Sequence, residues 1–327
     1  MTQFRRIQYL MGTTIEIVAY AEERVAAHAL ELAFAEFERI ERTFTLHDPG
    51  SELSQVNRAA AESPVSVSGQ MFDVVERAIA LCAQSDGAFS ITLGALSALW
   101  KRCLELERFP SADEIRSANE QSDWRCVRLD PANRTIAFDR AGLRLDLGGF
   151  VKGYAVDRAR DALVRGGVTR AMISAGESSL SVHEEPGDEG WRIGVRHPAD
   201  ETRLVGVLDL RSTCVSTSGT YERRSLLDGR TVSHLIDPTS GRAIEGLSGA
   251  TAVCKSAEMA EVASKMLLLR GCREALSICD QLGWDVEGLT VRSHARTSTV
   301  EVEQSEGLGL TVFSEELNSN DAVSTSP

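Results

Sequence analysis

The chain has 327 residues, of which 43% are hydrophobic and 25% charged, values typical of a globular protein with a large core. Its formal net charge of −13 argues against a nucleic-acid partner, which requires a basic face. No apolar run reaches the roughly 20 residues of a membrane span, and we recognise no signal-peptide or lipidation motif. We therefore expect a cytoplasmic protein without membrane insertion. The seven cysteines include no CxxC pair, which favours reduced core residues over disulfides.

Apolar periodicity predicts the secondary structure of the first part of the chain. Alternation over Thr13–Tyr20 indicates a strand, and a helical repeat of apolar residues over 22–43 indicates a long amphipathic helix. A polar loop then covers 47–57. A second helix over 70–85 ends at Asp86-Gly87, where a glycine favours a helix C-terminus.

The remaining elements are shorter. We predict a helical segment ending at Trp100, a β meander over 125–147, helices over 151–163, 257–270 and 272–282, and strands near 171–182, 191–196, 204–210, 213–217, 249–254, 286–292, 298–303 and 308–313. No repeat or linker divides the chain, and the elements lack the regular alternation of a doubly wound sheet. We therefore expect an α+β fold in a single domain over 1–313, followed by a disordered polar tail over 314–327.

A glycine turn in the centre of the chain is a candidate anion site. Leu143, Leu145 and Leu147 alternate with polar residues, which predicts a strand, and Gly148-Gly149 then precedes the next helix. A helix N-terminus after such a turn presents backbone N–H groups that suit a phosphate, and Asp146 and Lys152 flank it. An ordinary strand-to-helix turn with a surface lysine explains the same pattern.

Two further polar clusters interrupt apolar patterns. His234 lies near Asp237 and is the clearest candidate for a general base, because imidazole titrates near neutrality. Glu258, Glu261 and Lys265 share one helix face through their spacing of three and four residues. A surface histidine and a solvated helix edge are the alternative interpretations.

Seven segments in order resemble the ApbE-like family of FAD:protein FMN transferases. They are MGTTIEI (11–17), SELSQVN (51–57), DGAFSIT (86–92), LDLGGFVKGYAVD (145–157), STSGTYERR (216–224), SHLIDPTSGR (233–242) and AEMAEVASKMLLLRG (257–271). The resemblance implies mixed sheets with packed helices around a central flavin-nucleotide cleft. It also implies a Mg²⁺-dependent reaction in which a Ser or Thr hydroxyl of an acceptor flavoprotein attacks FAD, retains FMN and releases AMP.

The resemblance further implies roles for individual residues of this chain. His234 is the expected catalytic base for the incoming hydroxyl. The backbone carbonyl of Gly149 and the side chains at 261 and 265 are the expected metal ligands. The residues expected to bind FAD are Met11 against the flavin, His47 where the family usually has an aromatic residue, Ala88, Phe89 and Ser90 on the adenine-ribose side, Asp146, Lys152, and Leu235 beside the nucleotide.

The chain departs from the family pattern within the expected site. Glu261 replaces an Asp, Ser90 another Asp, and Lys265 a Thr, and an ammonium has three donors but no lone pair for a metal. In one hypothesis Lys265 replaces the metal and FMN transfer persists. In another, Lys265 pairs with Glu261 and Glu258, and the protein is a non-catalytic flavin or nucleotide binder. A third is an interaction protein with an empty cleft.

Overall fold

A computed structural model of the chain describes residues 2–221, 224–294 and 299–313. The predicted tail over 314–327 lies outside these residues. Every segment with helical apolar periodicity forms a helix there, and two polar segments form helices as well. The helices are α1 (Glu23–Phe44), α2 (Glu52–Ala59), α3 (Gly69–Gln84), α4 (Gly94–Glu105), α5 (Ala112–Glu120), α6 (Val151–Arg165), α7 (Ala257–Arg270) and α8 (Cys272–Gln281).

The strands of the described residues are mostly short, and each pairs antiparallel with its neighbours. They are β1 (Thr2–Leu10), β2 (Thr13–Ala21), β3 (Val65–Ser66), β4 (Val127–Asp130), β5 (Thr135–Phe138), β6 (Arg170–Ala175), β7 (Ser179–His183), β8 (Trp191–His197), β9 (Asp200–Leu210), β10 (Cys214–Gly219), β11 (Arg224–Leu227), β12 (Arg230–Ser233), β13 (Gly249–Cys254), β14 (Val286–His294), β15 (Thr299–Gln304) and β16 (Leu310–Val312).

A sheet of eight strands organises the core, in the order β1-β2-β6-β7-β10-β13-β14-β15. Because successive side chains of a strand point to opposite faces, this sheet contributes to two hydrophobic clusters. In β13, Ala252 belongs to the cluster with α1, α3, α6 and α7, whereas Val253 belongs to the cluster with the smaller sheet β16-β9-β8. The helices therefore cover one face and the smaller sheet covers the other, which confirms the predicted α+β class.

The predicted strand over Leu143–Leu147 is wrong. Its three leucines are buried in alternation, but the segment pairs with no strand. Asn57 satisfies the backbone instead, because its amide donates to the Leu145 carbonyl at 2.9 Å and its side-chain oxygen accepts from the Leu145 N–H at 2.7 Å. The alternating apolar pattern therefore indicates an extended segment that packs against the core, and not a strand that pairs in a sheet.

The predicted polar loop over 47–57 is also wrong in part, because α2 occupies most of it. Ser51 caps this helix by accepting from the Ser54 N–H, and only Leu53 and Val56 bury their side chains. Two apolar anchors in eight residues are too weak a periodic signal to separate a short helix from a loop. The cysteines agree with expectation, because all seven are free thiols.

None of the helices in the described ranges combines the length and apolar character that crossing a membrane requires.

Candidate active-site cleft

A cleft of about 610 Å³ opens at the end of the large sheet where β2 begins and where β6 and β10 end. It collects nearly all of the residues that the sequence singled out. The predicted residues that line it are Met11, Ala88, Phe89, Ser90, Asp146, Gly149, Lys152, His234, Leu235, Glu261 and Lys265.

His47 is the exception among the predicted residues. It is exposed in the loop after α1, where its backbone N–H donates to Thr45 Oγ1 at 3.1 Å, and it is not among the residues that line the cleft. The structure therefore does not bring His47 to the other predicted residues.

One wall of the cleft begins at the tight turn between β1 and β2. Met11 and Gly12 form this turn with positive φ angles of 55° and 71°, a conformation that is uncommon for a methionine. The Met11 N–H donates to Glu41 Oε1 on α1 at 2.7 Å. Glu41 thus fixes the backbone that presents the Met11 side chain, a role that no sequence signal indicated.

The segment Ala88–Ser90 forms a buried part of the lining. The Phe89 N–H donates to Ser85 Oγ at 3.1 Å, and the Phe89 ring packs against Phe150 with 5.7 Å between the centroids. Ser90 Oγ lies 3.0 Å from Thr92 Oγ1, so its hydroxyl is held by a neighbour on its own loop.

The glycine turn before α6 is held by its own aspartate. Asp146 Oδ1 accepts from the Gly148 N–H at 3.0 Å, and the Asp146 N–H donates to the Ile91 carbonyl at 2.7 Å. Since both Asp146 and Gly148 line the cleft, the turn faces the space where the sequence predicts an anion. This placement favours the ligand-binding interpretation over an ordinary surface turn.

The helices α6 and α7 approach each other closely beside the cleft. A Cβ on Gly153 would lie only 2.4 Å from the Ala257 carbonyl oxygen, so a larger residue cannot occupy this contact. The buried carboxylate of Asp157 on α6 accepts hydrogen bonds from Ser256 Oγ and from the N–H groups of Ala257 and Glu258, at 2.8, 3.0 and 3.1 Å. Asp157 therefore caps α7 and sets α7 against α6.

This packing brings Lys152 on α6 to α7 and to the start of β7. Its Nζ donates to Ser178 Oγ at 2.7 Å, to Ser179 Oγ at 3.3 Å and to Glu261 Oε1 at 3.3 Å. Ser179 also donates to Glu261 Oε1. The sequence predictions assign no role to either serine, and of the two only Ser178 lines the cleft.

Glu261 is buried and lies between two ammonium groups. Lys265 Nζ is 2.7 Å from Glu261 Oε2 and 2.9 Å from the Glu261 carbonyl oxygen, while Lys152 approaches Oε1. Burial by itself raises the pKa of Glu261, but the charges of Lys152 and Lys265 and their hydrogen bonds outweigh it and lower the pKa to about 2. Glu261 is therefore an ionised carboxylate despite an exposed fraction of only 3%.

The third member of the predicted helix cluster has a different partner. Glu258 forms a two-point ion pair with Arg77 of α3, with both N···O distances at 3.2 Å, and it does not line the cleft. Burial raises the pKa of Glu258, and Arg77 only partly opposes this effect. Of the shared helix face, only Glu261 and Lys265 belong to the site.

His234 reaches the cleft because a hairpin carries it there. β11 and β12 join through Asp228-Gly229, whose positive φ angles of 48° and 72° suit a two-residue turn. Leu227 and Val232 of this hairpin pack on Trp100 of α4. His234 follows the hairpin directly and lines the cleft.

Asp237 organises the turn after His234. Its Oδ1 accepts from the Thr239 N–H at 2.9 Å and its Oδ2 from Ser240 Oγ at 2.6 Å. The Trp100 indole N–H donates to the nearby Gly241 carbonyl at 2.9 Å and holds this turn against α4. These contacts are those of a turn-forming aspartate.

The residues present do not fit a divalent metal between Gly149 and Glu261. A Cβ on Gly149 would lie 2.9 Å from Lys265 Cε and 3.6 Å from its Nζ, so the lysine side chain passes directly beside this glycine. Repulsion between a dication and an ammonium at ~4 Å is roughly 8 kcal/mol at an effective dielectric of ~20. Within the described residues, no group of three or more His, Cys, Asp and Glu side chains is placed to hold a metal.

Known proteins resemble this chain in sequence and in structure. A family model described as the ApbE family matches residues 11–289. Curated proteins named FAD:protein FMN transferase are 33% identical over 234 residues in Klebsiella pneumoniae, covering 71% of both chains, and 29% identical over 255 residues in Treponema pallidum, covering 73% of this chain and 70% of the relative. The crystal structure of the ApbE protein from Thermotoga maritima superposes with a TM-score of 0.83 at 26% identity and covers 93% of this chain and 97% of its own.

Proposed function

This chain belongs to the ApbE family, and on that premise we propose that it is an enzyme that transfers FMN from FAD to a hydroxyl group of an acceptor protein. The observation that carries the proposal is the convergence of Met11, Asp146, Lys152 and His234 on one cleft from distant parts of the sequence. The relatives named FAD:protein FMN transferase support the same activity.

Different regions of the cleft lining suit the rings, the ribose and the diphosphate of FAD. Met11 and Leu235 are apolar surfaces for a flavin or nucleotide ring, and Ala88–Ser90 is the expected border of the adenine ribose. The glycine turn and the ammonium groups of Lys152 and Lys265 suit the diphosphate, because preorganised donors and positive charge stabilise phosphoryl oxygens.

The proposed reaction is a single displacement at phosphorus. The Ser or Thr hydroxyl oxygen of the acceptor forms a bond to the phosphorus on the FMN side. The bond from that phosphorus to the bridging oxygen breaks, and the bridging oxygen leaves with AMP. We assign the hydroxyl proton to the His234 imidazole, which acts as general base, while the lysines hold the charge of the diphosphate.

The steps above assign no role to magnesium. The ammonium of Lys265 lies against the carboxylate of Glu261, which the resemblance implies as a metal ligand, and also against the Glu261 carbonyl oxygen. The proposed steps therefore use only protein groups.

The test is to incubate the protein with FAD and a panel of flavin-free acceptor proteins that carry exposed Ser or Thr residues. We expect AMP release, measured by chromatography, together with an acceptor band that stays fluorescent in a denaturing gel. Replacing the labelled Ser or Thr by Ala should abolish both signals.

The same experiment separates transfer from the alternative, a flavin or nucleotide binder without catalysis. FAD binding with neither AMP release nor a fluorescent acceptor in the whole panel contradicts the proposed transfer and supports that alternative. The retained His234 in the cleft and the named relatives favour transfer.

A further inference from the structure

The cleft contains a positively charged side chain, Lys265, beside the buried carboxylate of Glu261. Lys265 comes from the same helix as Glu261 and bends back over one turn, so that Nζ contacts both Oε2 and the backbone oxygen of Glu261. Its side chain is only 20% exposed, and its Cε lies against Gly149. The lysine is therefore packed in place rather than extended into solvent.

Lys265 retains capacity for a ligand in this position. An ammonium has three N–H donors, and within the described residues two acceptors, both on Glu261, lie at hydrogen-bond distance from Nζ. The remaining donor direction is available to an oxygen in the cleft that Lys265 lines.

Within the part of the chain that the structure describes, the charges that line the cleft balance without any added ion. Besides His234, the titratable side chains of this lining are two lysines, Lys152 and Lys265, and two carboxylates, Asp146 and Glu261. A neutral residue at 265 would leave these side chains with an excess of negative charge next to an incoming diphosphate. The ammonium removes this excess and is itself attracted to phosphate oxygens.

We infer that Lys265 is the resident cation of this cleft, so that the protein binds the diphosphate of FAD and acts on it without a divalent metal. This inference rests on the proposed function, since it concerns the same site. It also implies that a hydroxyl side chain at 265 would reopen the space beside Glu261 and the Gly149 carbonyl for a metal, because hard cations prefer oxygen ligands.

The first test is on the unmodified protein after treatment with EDTA. We expect FAD to bind, measured by quenching of flavin fluorescence, with an affinity that changes by less than about threefold when Mg²⁺ is added. We also expect no heat of Mg²⁺ binding in calorimetry, with or without FAD. A measurable Mg²⁺ isotherm, or loss of FAD binding in EDTA, overturns the inference.

The second test compares variants at one position. Lys265→Thr should bind FAD at least about tenfold more weakly in EDTA and recover with Mg²⁺, whereas Lys265→Met should weaken equally and not recover. Lys101→Met, which removes an exposed lysine of α4, is the matched control and should bind FAD as the unmodified protein does. Variants that keep full FAD affinity in EDTA would also overturn the inference.

The outcomes distinguish this inference from the proposed function. FMN transfer that requires Mg²⁺ overturns the inference and leaves the transferase proposal standing. FAD binding that is indifferent to EDTA, without AMP release or a fluorescent acceptor, supports Lys265 as the cation that binds the diphosphate and contradicts the transferase.

Discussion

The ionised state of Glu261 depends on two lysines that come from different helices. Its carboxylate contacts Lys152 on α6 and Lys265 on α7, and its pKa is about 2 against an ordinary value of 4.5. Removing one partner of a buried ion pair leaves the other charge desolvated. Glu261, which the resemblance implies as a metal ligand, therefore also links α6 to α7 through its ion pair with Lys152.

We predict that Glu261→Gln lowers the free energy of unfolding by about 3 kcal/mol at neutral pH. Because the folded pKa lies below the unfolded one, this contribution is complete above pH 4.5 and is lost as the pH falls from 4.5 towards 2. Urea unfolding at a series of pH values should show the difference from the unmodified protein shrinking over that range.

The control for this prediction is Glu274→Gln on α8, which removes the exposed partner of Arg270 on α7. It should change stability by less than about 0.5 kcal/mol at every pH. If the loss of unfolding free energy caused by Glu261→Gln stays constant below pH 4.5, the Glu261 carboxylate is not the group that stabilises the protein.

We predict that His234→Asn lowers the rate of FMN transfer at least about 100-fold, because a positioned general base contributes that much. The affinity for FAD should change by less than about threefold, since the reacting hydroxyl belongs to the acceptor and not to FAD. Initial rates and fluorescence titrations measure the two effects. His28→Asn on the exposed face of α1 is the control, and an equal loss in both variants contradicts the assignment.

The helices α6 and α7 act as one unit. Gly153 permits their close contact, and Asp157 caps α7, so Lys152, Glu261 and Lys265 keep fixed positions relative to one another. The geometry of the cleft therefore depends on the carboxylate of Asp157, although Asp157 does not line the cleft.

We predict that Asp157→Ala destabilises the protein by about 2–4 kcal/mol, because it leaves the N–H groups of Ala257 and Glu258 without their acceptor. It should also weaken FAD binding through displacement of α7. Denaturant unfolding and fluorescence titration measure the two effects.

Asp161→Ala is the matched control on the same helix, since Asp161 pairs with Arg158 and Arg160 at a more exposed position. It should cost no more than about 1 kcal/mol and leave FAD binding unchanged. Equal effects of the two substitutions would contradict a capping role for Asp157.

One hydrophobic cluster includes residues from Ile15 on β2 to Cys279 on α8. A core shared by elements from both ends of the described chain favours unfolding as one unit. This core supports the single domain over 1–313, which remains a prediction. The cytoplasmic location also remains a prediction.

We predict a single calorimetric unfolding transition that moves to higher temperature with FAD. At a free FAD concentration of ~100 times Kd, binding to the folded state adds about 2.7 kcal/mol of stability. Differential scanning calorimetry with and without FAD measures the shift. Two transitions, of which FAD moves only one, would show that the cleft belongs to a separately folding part.

The accuracy of the sequence-based predictions follows the strength of the local pattern. The helix predicted over 257–270 has those bounds in the structure, because its Ser256 cap and its final Gly271 are local signals. α2 has only two apolar anchors, and the extended segment before the glycine turn imitates a strand, so the sequence predicts both wrongly. Local patterns indicate Asp146, Lys152, His234, Glu261 and Lys265 without any family resemblance. The resemblance adds the remaining predicted residues, among them His47, which does not line the cleft.

The helices with strong periodicity, the acidic character, the family and most of the residues that meet in the cleft follow from the order of amino acids alone. The pairing of those residues follows from the fold: Glu258 pairs with Arg77 rather than Lys265, and Glu261 pairs with both Lys152 and Lys265. A periodic pattern depends on neighbours within one or two turns, whereas Lys152 and Glu261 are 109 residues apart and meet only because Gly153 and Asp157 bring α6 onto α7.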